Sequence, residues 1–119
     1  MRQDAPDERM NACLRLLQEL ARAVERYETD QGLYPPSGND LLVRALLRYG
    51  YFEFAEESLN GRGQVVDPWG HPLVYKKSGR NARRRSFHQE GFVLYSLGPG
   101  GRGRIELDSA GNPPRRPRS

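Results

Sequence analysis

The chain is poor in the residues that carry most protein chemistry. Cys13 is the single cysteine among 119 residues, Trp69 the single tryptophan, and His71 and His88 are the only histidines. One cysteine excludes an intrachain disulfide and a CxxC metal site. On an apolar helical face it reads as a small core residue rather than a reactive thiol. Neither histidine has a ligand partner at metal spacing, and both sit among turn or loop residues, where a solvated role is expected. There is no GxSxG elbow and no phosphate loop followed by Lys-Ser/Thr; the glycine-rich run Gly98 to Gly103 precedes no helix whose dipole could receive a phosphate. Nor is there a run of about 18 apolar residues. Met1 to Glu8 is polar and carries no secretory signal, so the chain as it stands is expected to be soluble. No catalytic constellation is visible, and an enzyme is not expected.

What is present suits one small domain. The length leaves no room for two cores, and the apolar residues are clustered rather than scattered. The net charge is +4, yet the basicity is local. Arg83, Arg84 and Arg85 lie in one loop-like segment and Arg115, Arg116 and Arg118 in another; without these six the charge becomes −2. The folded body is therefore not a basic surface.

Asp4 to Asp7, with Pro6 between them, reads as a helix start. Apolar residues then recur at Met10, Cys13, Leu17, Leu20, Val24 and Tyr27, widened by Leu14, Leu16, Ala21 and Ala23. Arg15, Glu19, Arg22 and Glu25 fall on the outer faces, spaced for weak pairing. Gly32 stops this helix, and Pro35 and Pro36 prevent a restart. Ser37 to Asp40 offers caps for a shorter helix through Leu41, Leu42, Ala45, Leu46 and Leu47, ended by Gly50. Tyr51 to Leu59 mixes aromatics with Glu53, Glu56 and Glu57 and specifies no single element. Asn60 to Gly63 reads as a turn. Leu73 to Lys76, Phe92 to Leu97 and Ile105 to Leu107 are three strand candidates. Lys77 to Glu90 reads as a long hairpin loop between the first two. Residues 1–108 form the expected globular domain and 109–119 a disordered Pro/Arg-rich tail. The expectation is an α+β fold, a long amphipathic helix backing a small three-stranded antiparallel sheet.

Asp67-Pro68-Trp69-Gly70 is the most informative short motif. Asp before Pro favours a turn, and Gly70 permits backbone that a side chain forbids. Asp67 is expected to bond nearby amides while the indole covers the end of the core.

Tyr34-Pro35 after the helix, then Asp67-Pro68-Trp69-Gly70-His71-Pro72, then Tyr95-Ser96-Leu97-Gly98, in this order, resembles the major pseudopilin of type II secretion systems, the G-type subunit. The match runs from about Leu14 to Asp108. It implies a type IV pilin-like fold and a structural role: subunits polymerise into a short periplasmic filament with other pseudopilin and secretion-apparatus subunits, and no substrate is turned over. The resemblance makes the outward charges Arg15, Glu19, Arg22 and Glu25 partner-binding candidates. Two departures stand out. The family's leader and apolar membrane anchor do not appear in this sequence, which is expected to be either a truncated form from the periplasmic face of the inner membrane or a natural soluble relative. The family also often holds calcium in the loop after Ser-Leu-Gly, with aspartates and carbonyls. Here Gly100 stands at the usual aspartate position, and the short loop carries Arg102 and Arg104. Asp108 is left as the one candidate carboxylate, so calcium is disfavoured and no other cofactor is implied. The competing reading is a soluble binding module whose arginines at 83, 84 and 85, beside Phe87, or whose tail, capture an acidic partner or nucleic acid.

Overall fold

The structure, a computed structural model, describes residues 4–77 and 91–107, apart from the side chains of residues 4–7. Arg83, Arg84, Arg85, His88, Asp108 and the 109–119 tail lie outside the described residues.

Helix α1 runs Asp4–Gln31. Its stripe is the expected one: Cys13, Leu17, Leu20, Ala23, Val24 and Tyr27 are buried, and Met10 is half-buried. Steps of three and four keep these positions on one side. The helix ends where Gly32 turns to φ 86, its amide donating to the Glu28 carbonyl at 2.9 Å, an end that satisfies one orphan carbonyl.

Helix α2, Asn39–Arg48, closes in the same style. Gly50 takes φ 73, its amide donates to the Leu47 carbonyl at 3.2 Å, and the Tyr51 amide donates to the Leu46 carbonyl at 2.9 Å. That pair of bonds is the Schellman arrangement. The start of α2 departs from the sequence expectation. Gly38 occupies the cap position and no side chain caps the helix. Ser37 instead accepts the Lys77 amide at 2.8 Å, and Asn39 turns into the protein. Its amide donates to the carbonyls of Val65 and Leu73, both at 2.8 Å, and its oxygen accepts the Val65 amide at 2.7 Å. A buried amide must be satisfied in this way, and the same bonds tether α2 to the chain that leads into the sheet.

Residues 51–59 form no long element. Tyr51, Phe52 and Phe54 lean half-buried on the core, and Glu56–Ser58 makes one 3₁₀ turn. The turn at Asn60 is as expected: its side-chain oxygen accepts the Arg62 and Gln64 amides.

Strands β1 (Val74–Lys77) and β2 (Phe92–Tyr95) pair antiparallel, Val74 opposite Tyr95 and Lys77 opposite Phe92. The sheet has two strands among the described residues, not three. The expected third strand is reduced to one bridge, in which Ser96 and Ile105 exchange backbone bonds of 2.9 and 2.8 Å. On the turn side the Gly103 amide donates instead to the Leu97 carbonyl, at 2.7 Å. Outward-facing groups of β1 are covered too: the Tyr75 carbonyl accepts the Gly38 amide at 3.1 Å, and the Lys77 amide goes to Ser37.

One core holds these elements. Leu17, Leu20 and Val24 of α1, Leu42 and Leu46 of α2, and Val65, Leu73 and Tyr75 have at most 2% exposure. Both helices cover the sheet, α1 on β2 and α2 on β1, where the sequence pointed to α1 alone. The Tyr75 hydroxyl donates to the Pro35 carbonyl at 2.8 Å, and burial pushes its phenol well above its ordinary value.

Replacing Asn39 with alanine strands the buried Val65 amide and Leu73 carbonyl, at about 1–3 kcal/mol each before relaxation, while the Val65 carbonyl keeps the Leu73 amide at 3.1 Å. A loss of roughly 3 kcal/mol in urea unfolding is expected, against a few tenths for Ser37→Ala at the exposed neighbour.

Candidate assembly surface and the turn that supports it

The Asp67-Pro68-Trp69-Gly70 corner is built around a carboxylate that is 3% exposed. Asp67 Oδ1 accepts the amides of Trp69 and His71 at 3.1 and 2.8 Å, and the Gly70 amide donates to the Asp67 carbonyl at 2.9 Å. The amide bonding read from the sequence is present. Gly70 supplies the φ of 90 that the tight turn requires. The indole of Trp69 is half-buried and packs against the core.

Sequence reading missed the second half of this network. Asp67 Oδ2 accepts the Ser96 hydroxyl at 2.7 Å, and Ser96 Oγ in turn accepts the Gly98 amide at 3.0 Å. Ser96 is fully buried. Asp67 and Tyr95-Ser96-Leu97-Gly98, separate motifs in the sequence, are therefore one hydrogen-bonded unit. The Cys13 thiol of α1 lies beside it; burial pushes its pKa up, countered by the Ser96 hydroxyl and reinforced by the Asp67 charge. Cys13 is the buried core residue it was expected to be.

His71 is not the solvated loop residue the sequence pointed to. It is half-buried, with Nδ1 3.0 Å from the Gly98 carbonyl. A spatial partner 27 residues away leaves no local signature. Asn39 did leave one: it stands three, four and seven residues before Leu42, Val43 and Leu46, on the apolar side of α2.

Tyr34 and Pro35 lie at the far end of the sheet. Pro35 is buried, and the Tyr34 ring packs on Phe92 with centroids 5.6 Å apart. Gly91 faces that ring at φ 116, and a Cβ there would fall inside it.

The outward side of α1 is different in kind. Arg15, Glu19, Arg22 and Glu25 are all exposed, opposite the buried stripe. The weak pairing their spacing allowed does not form: among the described residues the ion pair within 4.0 Å is Arg104 with Glu106. At the end of α2, Leu47 and Tyr49 are also about half exposed, at 51% and 47%. Tyr49 and Tyr51 meet the edge of Tyr27 at 5.6 and 5.7 Å, and the Tyr51 hydroxyl donates to Asp30 at 2.7 Å. This fastens the ends of the two helices together. Among the described residues no three His, Cys, Asp or Glu side chains stand close enough to hold a metal ion, and no helix is long and apolar enough to cross a membrane.

A long helix backing a small antiparallel sheet, with a charged outer helix face, defines an α+β structural domain. The family model for type II secretion system protein G matches residues 3–111, and the chain belongs to that family, the major pseudopilins of the type II secretion apparatus. Members are structural subunits of the secretion machinery at the periplasmic face of the inner membrane. Comparison with curated proteins and with solved structures gives no match.

Two measurements check this unit. Asp67→Ala removes the acceptor of two amides and a hydroxyl and is expected to cost about 3 kcal/mol or more, whereas Ser96→Ala, which leaves Asp67 its amide partners, costs less. Alkaline titration probes the thiol and phenol. Cys13 and Tyr75 have folded pKa values raised above their ordinary 9.0 and 10.0, so their contribution to stability is full below pH 9 and is lost as pH rises toward the folded values. Chemical denaturation midpoints should fall above that pH, and less steeply in Cys13→Ala.

Proposed function

We propose that the chain is a pilin-like structural subunit that works by assembly rather than catalysis, docking the outer face of α1 against other pseudopilin or secretion-apparatus subunits. The observation that carries this reading is the set Arg15, Glu19, Arg22 and Glu25. They stand in one exposed strip of both signs, with no ion pair among the described residues. Mixed charges set register and exclude wrong partners when a complementary surface meets them, while adding little to monomer stability. The helix beneath is fixed by a fully buried stripe on its other side, so the strip is held rigidly, as a repeating contact requires. Membrane attachment in this reading comes through an N-terminal apolar anchor of the kind the family carries, and nucleic acid has no part in it.

Arg15→Glu combined with Arg22→Glu, in a form carrying such an anchor, is expected to reduce crosslinked assembly and secretion severalfold. The melting temperature should stay put, since exposed substitutions stay within about 0.5 kcal/mol. Unchanged assembly would show that these charges are merely solvated.

A further inference from the structure

The turn after β2 is where the family resemblance implies a calcium ion, and among the described residues the groups found there do not fit one. Calcium takes about 6–8 oxygen ligands. The Gly98 carbonyl has two lone pairs, and both are used: the Gly101 amide donates to it at 3.1 Å and His71 Nδ1 lies 3.0 Å away. The Leu97 carbonyl is held by the Gly103 amide at 2.7 Å. Both oxygens of Asp67 are occupied by the Trp69 and His71 amides and the Ser96 hydroxyl. Glu106 is drawn to Arg104 at 3.2 Å, and the Arg104 guanidinium lies over the Tyr95 ring at 4.2 Å. A cation would find the Gly98 carbonyl and Asp67 Oδ1 already engaged by two partners each, and would sit beside a fixed positive charge.

We propose that His71 takes the place of a bound cation in this chain, its Nδ1–H holding the Gly98 carbonyl so that the turn 98–103 is organised without metal. The ring is aimed by its own backbone. The His71 amide is pinned to Asp67 Oδ1 and follows Gly70 at φ 90. The imidazole then lies against Gly101, where a Cβ would come 3.1 Å from Nε2. That contact, together with φ 77, favours glycine at 101. The turn is thereby tied to the Asp67 corner twice, through Ser96 Oγ and through the imidazole.

A carbonyl can only accept, so the bond demands a proton on Nδ1. Nitrogen-15 NMR of the imidazole tests this directly. The chain has two histidines, and His88→Ala leaves one set of ring signals. At mildly alkaline pH the expected state of His71 is Nδ1–H with Nε2 bare; an Nε2–H tautomer overturns the proposal. Thermal melts of the full chain should coincide in chelator and in millimolar calcium, and a melting temperature raised by calcium would equally overturn it. His71→Ala should lower the melting temperature by roughly 4–8 °C. His71→Asn, which keeps a donor near the place of Nδ1, should recover most of that loss. A His71→Ala chain as stable as its parent would also sink the idea, and if that variant does not fold, the tautomer and the calcium melts still decide.

Discussion

A carboxylate removed from water has to be given hydrogen bonds, and Asp67 is given three. Two come from the turn it begins and one from Ser96, a residue of the opposite strand's end. That last bond sets where the sheet can form. It fixes the chain entering β1 against the chain leaving β2, so the two short strands are registered at one end before any ladder bond is counted. The small sheet could not stand alone. Its position under α1 follows from the same residues, since Ser96 sits against Cys13 in the buried stripe.

Asn39 does for α2 what Asp67 does for β2. Each is a buried polar side chain whose bonds run between segments far apart in sequence, 26 and 34 residues for Asn39 and 29 for Asp67 with Ser96. The apolar core supplies most of the driving force, but it is non-directional. The polar pair decides which way α2 and the strands face. Replacing either loses more than one bond's worth, because the partners left behind are backbone groups without water.

The sequence made local features legible and left long-range ones obscure. Periodicity located α1 residue by residue from Cys13 to Tyr27, and glycine marked both helix ends, because those signals lie within a few residues. Asp67's bonds to the next amides were legible for the same reason. The roles of Ser37 and Asn39 were misread as caps, since the local rule was sound but tertiary partners outbid it. His71 was misread because nothing near it in sequence hints at Gly98. The third strand is reduced to the one bridge between Ser96 and Ile105, which the propensity of Ile105 to Leu107 does not reveal. Of the candidate assembly face, the positions and exposure of Arg15, Glu19, Arg22 and Glu25 were legible, and their lack of ion-pair partners among the described residues was not.

The covering of β1 has a consequence for how copies can meet. Ser37 and Gly38 occupy the Lys77 amide and the Tyr75 carbonyl, groups that an incoming strand would need. Beyond β2, Ile105 already fills the corresponding place at Ser96. A second chain cannot add to the β1 side as one more strand without prising off residues that belong to the α1–α2 connection. Growth by sheet extension, the route that leads to amyloid, is thus closed on the β1 side.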